Sequence, residues 1–321
     1  MKTVLIVTHE QGFESDPVID AIRNRGVEVF RFNTDGGENI SHASFWSGLK
    51  KDTVEVEFEC DNRRVCSSDI GVGWCQQLPP YFDQPIGEME CLQSQNLWAL
   101  HSALFEFLPI SWLNKPSSVV YASNKILQLA LAQRIGLTIP RTIVSNQPDQ
   151  VLHFAVSQTI VAKNLATPWI TRNEGMQAAY TRIVRNDWLT ERAIAFCPII
   201  YQRYHKRRRD YRVIVVGEQV FAAFCVPREH QQEDIRKGVG TGELFSACNF
   251  DKETLGKLTI LMRELSVEYC AADFMEDING NLYFLEMNTC GAWWWLDHLY
   301  DGAICTAVTD FLVRLNSLSI Q

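Results

Sequence analysis

Apolar residues run unbroken from Val4 to Val7 within Thr3–Thr8, the pattern of a strand buried on both faces of a parallel sheet. A helix signal follows, with Ser15 or Asp16 as N-cap, Pro17 at the first helical position and Gly26 just past the end. Val27–Phe32 reads as a second strand, so the chain opens strand-helix-strand and predicts a doubly wound unit. Thr53–Glu59 alternates apolar and polar strictly, which predicts a half-solvated antiparallel strand. Ile70–Trp74 predicts another short strand, and Gln93–Leu108 a helix.

Pro116 and the Ser117-Ser118 pair mark a boundary, after which Asn124–Ile135 predicts an amphipathic helix stopped by Gly136. Strands are expected over Thr159–Lys163, Ile199–Gln202, Tyr211–Val216 and Val220–Cys225, the last two joined at Gly217-Glu218. Lys252–Cys270 reads as mostly helix, and residues 301–317 as a closing helix. Between them Ala271–Glu276 and Leu282–Asn288 flank Asn279-Gly280, a strong hairpin signal. No internal repeat or low-complexity tract interrupts this order.

Composition narrows the function classes. The 321 residues are 46% hydrophobic, enough for a sizeable core. A net charge of −8 argues against a general nucleic-acid binder, although Lys206-Arg207-Arg208-Arg209 forms a local basic run. Ten cysteines include no C-x-x-C pair, and Cys197, Cys225 and Cys270 sit in apolar runs. Reduced, mostly buried thiols are expected rather than a zinc ribbon or a disulfide framework, and they point to the cytosol. The N-terminal apolar run is too short for a signal peptide, and no stretch approaches 18 apolar residues, so a soluble cytoplasmic protein with no membrane or nucleic-acid partner is expected.

The hairpin carries the most informative chemistry. If Asn279 and Gly280 are the two central turn residues, Asp273 lies directly opposite Glu286, with Asn288 a diagonal neighbour on the same face. Phe274, Leu285 and Met287 then take the other face. Opposed carboxylates repel, and a divalent cation between them removes that cost. Two carboxylates and an amide oxygen, with positions left open for phosphate oxygens, suit Mg2+. Solvated side chains on an exposed sheet face explain the hairpin equally well when it is taken alone.

The hairpin resembles the metal-binding strands of ATP-grasp ligases, which end in Glu-x-Asn. Ser123-Asn124-Lys125 through Gly136-Leu137-Thr138-Ile139-Pro140-Arg141-Thr142 resembles the entry to that fold, and Val161-Ala162-Lys163 its strand lysine. Gln202 is similar to the hinge glutamine, and Asp210-Tyr211-Arg212-Val213 with Val216-Gly217 resembles the strand that follows it. Asp234-Ile235-Arg236-Lys237 falls where the family has Asp-x-Arg. The opening strand, Phe30-Arg31-Phe32-Asn33-Thr34-Asp35, and Glu286-Met287-Asn288-x-x-Gly291 with aromatic residues after it look like the microviridin-type graspetide maturases.

The resemblance implies an α/β (α+β) fold with a doubly wound pre-ATP-grasp domain over residues 1–115, ATP-grasp subdomain A over 116–198, and subdomain B with the metal hairpin over 199–321. It implies ATP and Mg2+, with Asp273, Glu286 and Asn288 as metal ligands. Lys125 and Lys163 would hold phosphates as point charges, while Ile199, Tyr201 and Gln202 would meet adenine through backbone groups and apolar side chains. Arg212 would stabilise the acyl phosphate and Arg236 steady the acceptor or the substrate carboxylate. Ordinary explanations stand beside these: a surface lysine, a buried strand at Ile199–Gln202, an Asp210 partner for Arg212, a loop arginine at Arg236. A precursor peptide with a leader and an acidic core would be the partner, its Asp or Glu side chains joined to Ser, Thr or Lys. Many such ligases are dimers, and the resemblance leaves a homodimer open.

Three departures set this chain apart. Arg203 stands where an acidic ribose contact often lies, Trp74-Cys75-Gln76-Gln77 lacks the arginines that follow the family tryptophan, and Thr289 replaces proline after Asn288. Trp293-Trp294-Trp295 cannot all face one core, so one ring is expected near a surface or pocket. The basic run is either a solvated turn or an attractor for an acidic peptide. The rivals are an ATP-grasp ligase of free amino acids or small peptides without a leader, and a non-catalytic nucleotide-dependent peptide-binding protein. Retention of Asp273, Glu286, Asn288 and Arg212 argues against the latter. No G-x-G-x-x-G follows the first strand, so a Rossmann dehydrogenase is set aside.

Overall fold

A computed structural model describes residues 2–34, 41–47, 54–76, 87–165, 169–172, 175–178, 180–235 and 244–319. The chain opens with β1 (Thr3–Thr8), α1 (Ser15–Arg23) and β2 (Val29–Asn33), followed by an antiparallel meander of β3 (His42–Ser47), β4 (Val54–Cys60) and β5 (Arg63–Cys66). β6 (Ile70–Cys75), α2 (Glu88–Phe107) and β7 (Ser111–Leu113) complete a parallel sheet of order β2-β1-β6-β7. The unbroken apolar run of β1 is explained by burial on both faces. Val4 and Ile6 pack toward α1, whereas Leu5 and Val7 pack toward β4 and the Leu104–Leu108 end of α2. The expected doubly wound arrangement is present.

α3 (Pro116–Ala122) and α4 (Lys125–Ile135) come next. Asn124 caps α4 by accepting from Leu127 N, and Gly136, at φ 92°, ends it as the sequence requires. β8 (Thr142–Ser145), α5 (Pro148–Ala155), β9 (Ile160–Lys163), the hairpin of β10 (Trp169–Arg172) and β11 (Gly175–Ala178), β12 (Arg182–Ile183), α6 (Glu191–Phe196) and β13 (Ile199–Arg203) follow. Four of these strands form an antiparallel sheet of order β12-β9-β13-β8. A five-stranded antiparallel sheet of order β16-β15-β14-β17-β18 holds β14 (Arg207–Val216), β15 (Gln219–Cys225), β16 (Ser246–Cys248), β17 (Tyr269–Asp277) and β18 (Leu282–Asn288). α7 (Lys252–Glu264) and α4 cover one face of it, through Leu131, Leu258, Leu261 and Phe274. α8 (Trp294–Asp297) and α9 (Ala303–Leu318) close the chain. α9 packs on α1, β1 and β6 of the first sheet and also on β14 of the large one.

Some local expectations are corrected. α1 has Glu14 as N-cap with no side-chain cap, because the Ser15 hydroxyl donates to Gly12 O, and Pro17 is its third residue. α7 stops at Glu264, since Ser266 adopts a positive φ of 55° and Tyr269 already starts β17. All ten cysteines are free, but only Cys60, Cys75, Cys225 and Cys270 are buried, and Cys197 is exposed just past α6. Among the described residues, no helix is long and apolar enough to cross a membrane.

Candidate active site

Three neighbouring strands place one row of charge across the large sheet. Arg212 on β14 pairs in register with Asp273 on β17, and Asp273 with Glu286 on β18. The opposition expected from a two-residue turn is therefore present, but by another route. Asp277 N donates to Asn281 O, so the loop holds three residues, Ile278–Gly280, and Phe274 pairs with Phe284 rather than Leu285. A bulge at Leu285 then restores the pairing of Asp273 with Glu286. It also turns Leu285 from the expected core face into the cleft, beside Met275.

Each carboxylate meets a cation. Arg212 Nη1 donates to Asp273 Oδ1 at 2.8 Å and Nη2 to Ala292 O at 3.3 Å, while its buried Nε has no hydrogen-bond partner. Lys125, the first residue of α4, reaches Glu286 Oε2 at 3.5 Å and Asn164 O at 3.3 Å. Asn288 Nδ2 donates to Glu286 Oε1 at 3.4 Å. Lys163, at the end of β9, faces the same group: burial, with Arg207 and Lys125 nearby, lowers its pKa to about 8, and Glu286 opposes the shift. Lys125, Lys163, Arg212, Asp273, Glu286 and Asn288 thus form one cluster of charged and amide groups, linked pair by pair.

The donor set fits a hard divalent cation: two facing carboxylates and an amide oxygen, already balanced by cations that phosphate oxygens can recruit. Among the described residues, no group of three His, Cys, Asp or Glu could hold a metal, so a cation here would rely on Asn288 and on oxygens from a bound ligand. Beyond Lys163 the cleft continues as a slot lined by Val161, Gln202, Tyr204, His205, Met275 and Leu285. Arg203 borders this slot, where the family resemblance led to an acidic residue.

Strand alternation separates the residues expected at adenine. Gln202 faces the slot, and its Nε2 donates to Thr142 Oγ1 at 3.0 Å. Tyr201 and Ile199 point the other way, into the core formed with Val151, Phe154 and Ile194, so their side chains do not line the slot. Arg236 lies outside the described residues. The basic run is neither a turn nor a free patch. Arg207 opens β14 and pairs with Asp210, Arg208 reaches Glu276 at 2.9 Å, and Arg209 lies over the Phe224 ring at 4.9 Å. Asp210 thus already has its arginine, and Arg212 is left for Asp273.

Two buried amides support the row and escaped notice in the sequence. Gln128 on α4 accepts from Met287 N at 2.8 Å and donates to Met287 O at 2.7 Å and Ala122 O at 2.6 Å. It ties the helix that carries Lys125 to the residue between Glu286 and Asn288. Asn114 accepts from Glu268 N and Tyr269 N, and donates to Tyr269 O and Thr289 O, holding β17 to the end of β18. Gln128 lies on the buried face of α4 with Leu129, Leu131 and Ala132, and neither it nor Asn114 has a local sequence signal that marks its role.

Residues 122–293 match the family model described as the RimK-like ATP-grasp domain. A probable alpha-L-glutamate ligase of Saccharophagus degradans is 22% identical over 213 residues, 65% of this chain and 69% of that protein. Across the curated relatives described here the chain spans between 48% and 69% of their length. The solved macrocyclase MdnC of Microcystis aeruginosa MRC, bound with precursor peptide MdnA, is 26% identical, with 97% of this chain and 99% of that one covered and a TM-score of 0.84. The Chryseobacterium gregarium RiPP-associated ATP-grasp ligase, in complex with ADP and a leader and core peptide, shares the fold at 24% identity and a TM-score of 0.85, covering 98% and 97% of the two chains. With more than half its length matched by the family model, the chain belongs to the RimK-like ATP-grasp family.

Proposed function

We propose that this chain is an ATP- and Mg2+-dependent ligase that activates an Asp or Glu side chain of a ribosomal precursor peptide and joins it to a Ser, Thr or Lys of the same peptide. The observation that carries the reading is the Arg212–Asp273–Glu286 row with Asn288, Lys125 and Lys163 in one cluster. Asp273, Glu286 and Asn288 would hold the cation, which when bound neutralises phosphate charge and orients the nucleotide. Lys125 and Lys163 would bind phosphate oxygens, and the slot from Gln202 to His205 would take the nucleoside. The peptide carboxylate attacks the γ-phosphorus and ADP leaves as the β–γ bond breaks; Arg212 steadies the acyl phosphate, and the acceptor hydroxyl or amine attacks its carbonyl, losing a proton as phosphate departs. Positioning and charge neutralisation supply the catalysis, with no covalent enzyme nucleophile.

Likeness over nearly the whole chain to a macrocyclase bound with its precursor peptide supports the peptide substrate. A second reading, addition of glutamate to a peptide or protein, is favoured by the curated relatives named as glutamate ligases. Mass spectrometry separates the two. Incubation with ATP, Mg2+, glutamate and an acidic Ser/Thr/Lys-containing peptide encoded beside the gene is expected to remove one water per cross-link. Addition of a glutamyl residue would establish the second reading. ADP release without peptide modification would sink both.

A further inference from the structure

The tryptophan run divides its work unequally. Trp293 is 2% exposed in the core, and Trp295 packs against Phe245 at 4.9 Å and under the Arg212 guanidinium at 5.9 Å. Trp294 is 48% exposed, and its ring meets Phe13, itself 56% exposed, edge to face at 5.2 Å. Two large rings from opposite ends of the chain thus stand half in water against each other.

Their neighbours are not exposed. The Glu14 carboxylate, beside Phe13, is buried; burial raises its pKa, and the backbone N–H groups of Trp293 and Trp294 and the charge of Arg212 pull the other way. Glu14 therefore couples the loop bearing Phe13 to the segment bearing Trp294. The pair is organised before any ligand arrives, which lowers the entropic cost of binding on it.

Position supplies the rest. Ala292, whose carbonyl accepts from Arg212, lies two residues before Trp294, a span of at most about 7 Å along the chain. Along β17 and β18 the slot lies on the Met275 and Leu285 side of the acidic pair. Asn288 and Gly291 lie on the other side, where a Cβ on Gly291 would come within 2.5 Å of Ala271 Cβ. The aromatic pair therefore lies on the side of the acidic pair away from the slot lined by Met275 and Leu285.

We propose that Phe13 and Trp294 form a subsite for an apolar substrate residue one or two positions from the carboxylate being activated, in an extended peptide. The proposal rests on the ligase reading and deepens it. One or two positions along an extended peptide span at most about 7 Å, the same chain length that separates Ala292, held by Arg212, from Trp294. The positive group beside an apolar platform matches an acidic residue beside an aliphatic, aromatic or prolyl one.

The test replaces the acceptor with hydroxylamine, which traps the acyl phosphate as a hydroxamate. The peptides are the acidic Ser/Thr/Lys-containing peptide encoded beside the gene, leader included, with one core Glu flanked by Gly, Leu or Phe. Wild type is expected to prefer the Leu and Phe peptides by about tenfold in kcat/KM, mostly through KM. Trp294→Ala and Phe13→Ala should bring that ratio toward one, and Trp294→Phe should keep it. A ratio that survives both alanine variants, or losses equal for all peptides, overturns the subsite. A Trp294→Ala change in oligomeric state with the ratio intact would assign the rings to self-association instead. If wild type makes no hydroxamate from any peptide, the ligase reading itself fails and the subsite with it.

Discussion

Replacing Gln128 by Ala isolates the link between the phosphate-side helix and the acidic strand. Gln128 is 2% exposed and makes three hydrogen bonds, at 2.6, 2.7 and 2.8 Å. Its removal leaves Met287 N–H, Met287 C=O and Ala122 C=O without partners in the interior, and opens a cavity. At about 1 kcal/mol net for each bond, and more for each orphaned group, the loss comes to about 3–5 kcal/mol. That is a large fraction of the stability of an ordinary domain. Gln128→Glu keeps the acceptor for Met287 N–H but aims a second oxygen at two carbonyls, so it should also destabilise. Urea unfolding gives the stability change, and the KM for ATP reports the site, because Met287 sits between Glu286 and Asn288. Both variants should raise that KM under conditions where they remain folded. A stability loss for Gln128→Ala under about 1 kcal/mol, with ATP kinetics unaltered, would refute the reasoning.

His101 offers a pH test. It is 1% exposed among Phe32 and Phe105, and burial lowers its pKa to about 4. The unfolded chain binds its proton at higher pH than the fold does, so stability falls as pH drops from about 6.5 toward 4. This contributes about 2 kcal/mol between pH 7.5 and pH 5, and His101→Leu should remove that part of the slope in denaturant titrations. Asn114→Ala orphans two N–H groups and two carbonyls at a site 2% exposed. A loss of about 3–5 kcal/mol is expected, read by thermal or urea unfolding, and a value within experimental scatter of wild type would contradict it.

Much of this architecture was legible in the chain because hydrophobic periodicity reports burial directly. The two-sided burial of β1, the end of α4 at Gly136 and the hairpin of β17 and β18 follow from local chemistry. The register of Asp273 and Glu286 was reached through a turn one residue too short, and the bulge at Leu285 cancelled the difference. Neither the bulge nor the three-residue loop has a local signature distinct from Asn-Gly. The sides taken by Ile199 and Tyr201 depend on which face of β13 meets α5 and α6, a tertiary fact that an apolar run does not carry. The basic run looked like a solvated turn because its partners, Asp210 and Glu276, lie on β14 itself and on β17, and pairing across strands is invisible to composition.

The central claim is that Asp273 and Glu286 hold a cation that carries nucleotide phosphates. The direct measurement is the Mg2+ dependence of ATP turnover by Glu286→Gln, with substrate present and the fold checked by circular dichroism. The substitution is nearly isosteric at a half-buried position. Magnesium-dependent turnover should disappear while the spectrum stays that of the wild type. Full-rate ATP hydrolysis by the folded variant would contradict the claim.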